Sequence, residues 1–418
     1  GPYCRVCNVT DGSRYFDSGQ SACAECGDTV ATSLAALVGI TLAVLLLLCW
    51  RGWRQSYKRL RLMAYQALQK IRAPLKQIVA FCQIVTRIES VFKVAMPSSV
   101  AALLSAFDFL NDFLNLSIDA FGLPLSCVQL GSFFDQLLFL VLLPVVLVLL
   151  TLVYSLGIEV RTKREAASLE TGFITALPYL LYILFFTFPL VSSRAIQALD
   201  CEKFDDGRVF LRVDYSLDCN DDEYRRVLFL ARVAIALYPA GVPLLFLTLL
   251  LCARKAIRTE QPTALSRSLT FLHQDYELSM YWWEMVEISK KLVLVGGCAL
   301  IRPGSTFQLI IGFVFSLLIL LFTSIARPFQ HAEHDNFSLL CNFSLAMVLF
   351  FSLVLKMGVL SEDVEDSDLL SGELRDSYTF DPALLSVALM CAVLASVIVC
   401  SVLAVYQVYR STRAAARA

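Results

Sequence analysis

Residues 130–154 read LGSFFDQLLFLVLLPVVLVLLTLVY, and one charged side chain, Asp135, interrupts the run. A bilayer core about 30 Å thick needs about 20 apolar residues in a helix rising 1.5 Å per residue, so this stretch predicts a transmembrane helix. Working outward, comparable runs occupy residues 33–50, 171–191, 227–251, 285–301, 306–325, 337–359 and 383–408. Over the whole chain 57% of residues are hydrophobic and 17% charged, against about 45–50% and 25% in an ordinary soluble domain. The mean hydropathy is +0.67. That composition argues against a water-soluble enzyme, and the net charge of -1 gives no reason to expect nucleic acid as a partner. The expected fold class is all-α, a polytopic transmembrane helix bundle whose principal partner is the lipid bilayer. No charged leader with a small-residue cleavage site opens the sequence, and Gly1 is not a start methionine, so a C-terminal piece of a larger, extracellularly extended chain is expected.

Orientation follows from Lys and Arg, which stay on the cytoplasmic side of short loops. Arg51, Arg54, Lys58, Arg59, Arg61, Lys70, Arg72 and Lys76 follow the first run without an acidic residue among them. They place that segment inside and the N-terminus outside. The same rule puts Arg161 to Arg164, Arg254 to Arg258, Arg327 and the tail from Arg410 inward, with the C-terminus cytoplasmic. Parity then demands one more crossing before residue 130, within 77–96 or 99–123. Both carry charges that cannot face lipid cheaply. The total becomes about nine spans.

The outer side holds two cysteine groups. Cys4, Cys7, Cys23 and Cys26 have C-x2-C-x15-C-x2-C spacing, which fits a zinc ribbon or a disulfide module. Placement in an oxidising compartment favours disulfides, hence a short disulfide-rich extracellular N-terminal stub, and Asn8-Val9-Thr10 fits the pattern of an exposed glycan acceptor. Cys201 and Cys219 bound an acidic outer loop and are expected to bridge. Cys49, Cys82, Cys252, Cys298, Cys341, Cys391 and Cys400 lie in or beside apolar runs and read as buried small hydrophobes.

No nucleophile elbow, phosphate-binding glycine loop or His-Glu zinc signature appears, and no catalytic residue, metal or cofactor is expected. His331 and His334 flank Glu333 and precede Asp335, but a solvated polar turn explains that cluster better than a metal does. Two polar features stand out. Residues 276–291, YELSMYWWEMVEISKK, lead into an apolar tail too short to cross alone, so the helix must carry Glu284, Glu287, Lys290 and Lys291 to the inner membrane boundary. There Glu287 and Lys291, at i, i+4 with the acid first, are expected to pair. Tyr281, Trp282 and Trp283 are expected to form an interfacial aromatic belt. Either an anchor that sets helix depth or a gating role fits this pattern. The second feature is the loop 359–382, where Glu362, Asp363, Glu365, Asp366, Asp368 and Glu373 are candidates for a cation-concentrating pore vestibule. Outer loops are also acidic simply because basic residues are held inside.

FLHQDYELSMYWWEMVEISKKLVLVGG (271–297), PGSTFQ (303–308), ARPFQ (326–330) and NFSLLCNFSLAMVLFFSLVLK (336–356) together resemble the TRP-like C-terminal membrane domain of large cysteine-rich surface proteins of protists and algae. FCQIVTRIESVFKVAMPSSV (81–100), CEKFDDGRVFLRVDYSLDC (201–219) and ALYPAGVPLLF (236–246) look like the same family. GPYCRVC (1–7) resembles the end of its EGF-like or ephrin-receptor-like repeats. The resemblance implies a nonselective or calcium-permeable cation channel related to polycystin and fungal TRP-like proteins, homotetrameric, in a plasma or ciliary membrane. It also implies an organisation of stub (1–30), first span with basic and pre-core helices (31–129), additional span (130–170), six-helix channel core (171–408) and basic tail (409–418). The last two spans would line the pore. Residues 359–382 contain no evident apolar pore helix or glycine–acid filter, and 306–325 contain no Arg or Lys that could act as a voltage sensor. The alternative is a non-conducting surface receptor or adhesion protein with a multispan anchor.

Overall fold

Apolar length decides where the helices fall, and the chain is mostly helical. The computed structural model describes residues 14–17, 22–25, 58–94, 96–114, 132–162, 169–204, 207–302, 304–365 and 382–417. Among them, six helices are long and apolar enough to cross a membrane: Phe133–Gly157, Gly172–Gln197, Asp222–Arg258, Thr306–Ala326, Ala332–Met357 and Leu384–Leu403. The protein is therefore an integral membrane protein in contact with the lipid bilayer. The expected span at 33–50, together with Cys4, Cys7 and Cys26, lies outside the described residues. Of the stub, the structure describes the antiparallel strands β1 (Arg14–Asp17) and β2 (Ala22–Glu25), which place Cys23 opposite Phe16.

The chain divides into two units, Gly1–Trp53 with Asp112–Gln274 and Arg54–Asn111 with Asp275–Ala418. Helices α1 (Lys58–Val85), α2 (Ile88–Phe92) and, for most of its length, α3 (Ser98–Leu114) belong to the second unit. The first unit follows in sequence. Its helices α4 (Phe133–Thr162) and α5 (Leu169–Gln197) pack on each other despite Pro144, Pro178 and Pro189. Transmembrane helices tolerate such breaks where neighbours satisfy the freed groups.

An antiparallel sheet follows, with strand order β3 (Cys201–Lys203), β4 (Val209–Leu211), β5 (Asp214–Asp218), and Cys201 and Cys219 are disulfide-bonded at its edge. Arg212 braces this cap through Asp200 at 3.0 Å and Glu202 at 3.2 Å, while the Tyr215 hydroxyl donates to Glu202 at 2.7 Å. Helix α6 (Asp222–Ile235) starts on Asp222 and Glu223, and α7 (Val242–Arg258) ends on Lys255 and Arg258. Both ends complement the helix dipole. The π-turn Ala236–Gly241 joins them around Pro239, whose ring cannot sit in a regular α-ladder. Beside it the Tyr238 hydroxyl donates to the Val141 carbonyl of α4 at 2.7 Å. Two short helices, α8 (Ala264–Ser268) and α9 (Thr270–His273), close the unit, with Phe271 against Tyr182, Phe185 and Phe246.

The second unit continues with α10 (Trp283–Lys291), a π-turn at Leu292–Gly297 and a 3-10 turn at Cys298–Leu300. Helices α11 (Thr306–Ala326), α12 (Ala332–Glu365) and α13 (Pro382–Arg417) complete it. Phe81, Ile84, Ile88, Phe92, Leu309, Phe337, Leu349, Leu389 and Val393 share one buried core. Gly312 of α11 permits the closest approach, because a Cβ there would stand 3.0 Å from the Phe92 ring.

Three expectations change. The expected span 285–301 is helical but is not among the six: Glu287, Lys290 and Lys291 lower its hydropathy, and its turns change from α to π to 3-10. Tyr281 and Trp283 are buried in protein instead of forming an interfacial belt, with Trp283 packed on Phe322 at 4.9 Å between centroids. Not all apolar-run cysteines are buried, since Cys252 and Cys391 lie exposed on helices whose outer faces are apolar.

Candidate functional site

The site begins with two loops held together side by side. The Glu277 N–H donates to the Pro328 carbonyl at 2.8 Å and the Gln330 N–H to the Asp275 carbonyl at 3.2 Å, so Tyr276 and Phe329 stack at 4.9 Å. Arg327, in the left-handed region at φ 41°, ends α11, and Asp335 accepts from the Phe329 N–H at 3.0 Å as α12 begins. This clasp fixes where α10 starts. Residues three apart share a helix face, so Glu284, Glu287 and Lys290 point the same way.

That face is polar and almost fully enclosed: Glu284, Glu287 and Lys290 are 3%, 8% and 6% exposed. Helix α1 supplies the opposing charge. Arg72 donates to Asp275 Oδ1 from Nη2 at 2.7 Å and from Nε at 3.2 Å, and Lys76 donates to Glu284 Oε2 at 2.5 Å. The Tyr276 hydroxyl donates to the same Glu284 oxygen at 3.0 Å. Burial, and then the Glu284, Glu287 and Asp275 carboxylates, push that phenol well above its ordinary pKa, so it remains a donor. Deeper in, Lys290 Nζ lies 2.6 Å from Glu287 Oε2 and donates to Asn342 Oδ1 of α12 at 3.0 Å. Asn342 in turn donates to Thr323 Oγ1 of α11 at 3.2 Å. A polar chain thus runs from α10 to α12 and α11, among helices apolar enough to cross a membrane.

Glu287 is bonded to Lys290 at i, i+3, beside the expected Lys291 at i, i+4. The i+3 position turns the Lys290 ammonium toward Asn342. Lys291 ends α10 within electrostatic reach of Glu284 and Glu287. Of the expected vestibule, Glu362, Asp363 and Glu365 fall on the last turns of α12, and Asp366, Asp368 and Glu373 lie outside the described residues.

Sequence reasoning missed Arg72 and Lys76 as partners because positive-inside bias already accounted for them. It missed Asp275, Gln77, Thr323 and Asn342 altogether. An amide inside an otherwise apolar run was the available signal for Asn342. Among the described residues, no group of three or more His, Cys, Asp and Glu is arranged to hold a metal ion.

A second polar knot lies at the other end of the same bundle. Gln308, fully buried, donates from Nε2 to the Val91 carbonyl at 2.9 Å and the Cys298 carbonyl at 2.8 Å, and its Oε1 accepts from the Gly304 N–H at 2.9 Å. Lys356 donates to the Phe92 carbonyl at 2.8 Å, where α2 ends on Lys93 in the left-handed region. Helix C-termini expose such unpaired carbonyls, and a cation beside them also meets the negative end of the dipole.

No family profile matches the chain. No solved structure matches it either. Among curated proteins it is similar to Cysteine repeat modular protein A of Toxoplasma gondii, 26% identical over 200 residues. That alignment takes in 44% of this chain and 6% of the relative, so the chain spans a small part of that protein's length.

Proposed function

We propose that the chain is the membrane domain of a large cysteine-rich surface protein and acts there as a TRP-like cation channel, assembled as a homo-oligomer. One observation carries the reading: a chain of buried charged and amide side chains, Glu287, Lys290, Asn342 and Thr323, joins three helices of a membrane bundle. Ionisable groups at membrane depth are costly and mark ion pathways, relays or gates. The charges are mutually neutralised, which suits a gate latch better than the conduction path. The path is assigned to the seam of α12 and α13, where the Ser396 hydroxyl donates to Ser344 Oγ at 2.9 Å. The similarity to a cysteine-repeat protein supports the cysteine-rich context.

In this reading about nine crossings are made, with 285–301 counted among them although its charges keep it out of the six apolar spans. The N-terminus lies outside and the C-terminus inside, and residues 72–93 are the crossing that parity demands. The membrane is the plasma or ciliary membrane. The chain is not an enzyme.

Purified chain in liposomes should pass monovalent cations and calcium. Replacing Glu362, Asp363, Glu365 and Asp366 by their amides should lower conductance most at low salt, where the Debye length exceeds about 10 Å. Unchanged low-salt currents would remove this loop from the pathway. Absence of any flux from the unmodified chain would favour the receptor or adhesion reading, which the self-neutralised polar centre also suits as a static brace.

A further inference from the structure

Where α1, α10 and α12 meet in the second unit, Gln77, Phe81, Glu287, Lys290, Ser338 and Asn342 wall a small cavity with about 10 Å³ open to a water-sized molecule. Roughly 10–15 Å³ on this measure is the room one water needs, provided it finds two to four polar partners. The wall supplies them. Gln77 is 7% exposed, its Nε2 donates to the His334 carbonyl at 3.4 Å, and its Oε1 is buried with no hydrogen-bond partner in the protein. Lys290 carries three N–H donors, and two are directed at Glu287 and Asn342. The Ser338 hydroxyl borders the same space, and the carbonyl four residues before it, that of His334, already accepts from Gln77.

We infer that this cavity is a hydration site for one ordered water, which accepts from Lys290 and donates to Gln77 Oε1, joining α1 to α10 and α12. The occupant is a neutral protic molecule and not a metal cation, because the Lys290 ammonium already supplies the positive charge facing Glu287. The water gives the ammonium a third acceptor and the amide oxygen its only donor. A buried charge is tolerable in a bundle when its remaining hydrogen-bonding capacity is met in this way.

Synchrotron hydroxyl-radical footprinting of the full chain in lipid nanodiscs tests the site, because an enclosed water generates the radical beside the side chains that line it. Phe81 and Cys341 line the cavity, whereas Phe337 and Cys298 are buried in the same core without lining it. Phe81 should be modified several-fold faster than Phe337, and Cys341 several-fold faster than Cys298. Gln77→Leu should bring both rates down to those of the controls. Equal rates in the unmodified chain would mean a dry cavity and overturn the inference. So would unchanged fast labelling in Gln77→Leu, or labelling that changes when sodium is replaced by choline, which would indicate a cation instead. None of these outcomes depends on whether the chain conducts.

Discussion

Removing one partner of the Glu287–Lys290 pair should cost far more than removing both. At 2.6 Å the gross attraction of unit charges is about 6 kcal/mol for an effective dielectric of about 20. Desolvating two ions costs several kcal/mol each, so the net worth of the intact pair is small. Glu287→Gln leaves a buried ammonium facing only amides and a hydroxyl, and Lys290→Met leaves a buried carboxylate. Each should lower unfolding free energy by about 3–5 kcal/mol, while the double variant should fall within about 1–2 kcal/mol of the parent. Equilibrium unfolding in mixed detergent and SDS, followed by tryptophan fluorescence, reads all four corners of the cycle. A coupling of about 4 kcal/mol or more is expected from these costs, and the cycle of Glu287 with Lys291→Met should show less. Additivity within about 0.5 kcal/mol for the Lys290 cycle would refute the claim that the two charges depend on each other.

Gln308→Leu should destabilise the chain by about 2–5 kcal/mol in the same assay, since it strands the Val91 and Cys298 carbonyls and the Gly304 N–H together. Gln308→Glu should recover only the part due to Gly304. Non-reducing peptide mapping of protein from an oxidising compartment should yield the Cys201–Cys219 cross-linked peptide, and replacing both by Ser should cost about 3 kcal/mol for a loop of this size; free thiols at both positions would contradict the outer placement of the cap. A cysteine introduced at Lys93 should react with an impermeant maleimide from the outer side and one at Glu277 from the inner side, after the accessible native thiols are blocked. Reaction of both from one side would remove residues 72–93 from the list of crossings.

The six membrane-length helices were legible because hydropathy is local. Each lies where a long apolar run was read, with ends that differ by a few residues near caps such as Asp221 and Arg327. The polar centre was legible only in part. Glu284, Glu287 and Lys290 announce themselves as charges in a helix that must go deep, but their partners are set by the fold. Lys76 meets Glu284 across a sequence separation of 208, and Asn342 meets Lys290 across 52. No spacing rule reaches so far. The local i, i+4 rule points to Lys291 because it weighs only the isolated helix; the contact of Lys290 with Asn342 on α12 is a tertiary feature that no local rule contains. The aromatic belt failed for a similar reason: Trp283 has its apolar partners, Ala73, Phe322 and Phe329, inside the protein and has no need of the interface.

The parity problem has the same physical root. Residues 77–96 were a poor candidate span by hydropathy because they hold Arg87, Glu89 and Lys93. Yet α1 and α2 have neighbours along the length of α12: Gln77 bonds the carbonyl of His334 in its first turn, and the Phe92 carbonyl bonds Lys356 far along it. Between these points Ile84, Val85, Ile88 and Phe92 are enclosed by protein. From Arg72 to Lys93 a near-continuous helix advances about 32 Å, close to the thickness of the hydrocarbon core. A segment surrounded by other helices does not have to be apolar all round, since its cost is set by its protein neighbours and not by lipid. Lys93 at the far end lies beside Gly304 and next to Lys356, in the polar knot that also holds Gln308, and Arg72 at the near end is paired with Asp275. Apolar side chains are buried at Ile84, Val85, Ile88 and Phe92, with Arg72 and Lys76 at the near end and Arg87, the exposed Glu89 and Lys93 gathered toward the far end. This is the distribution expected of an internal crossing helix, which is why hydropathy passes over a segment that the proposed topology counts.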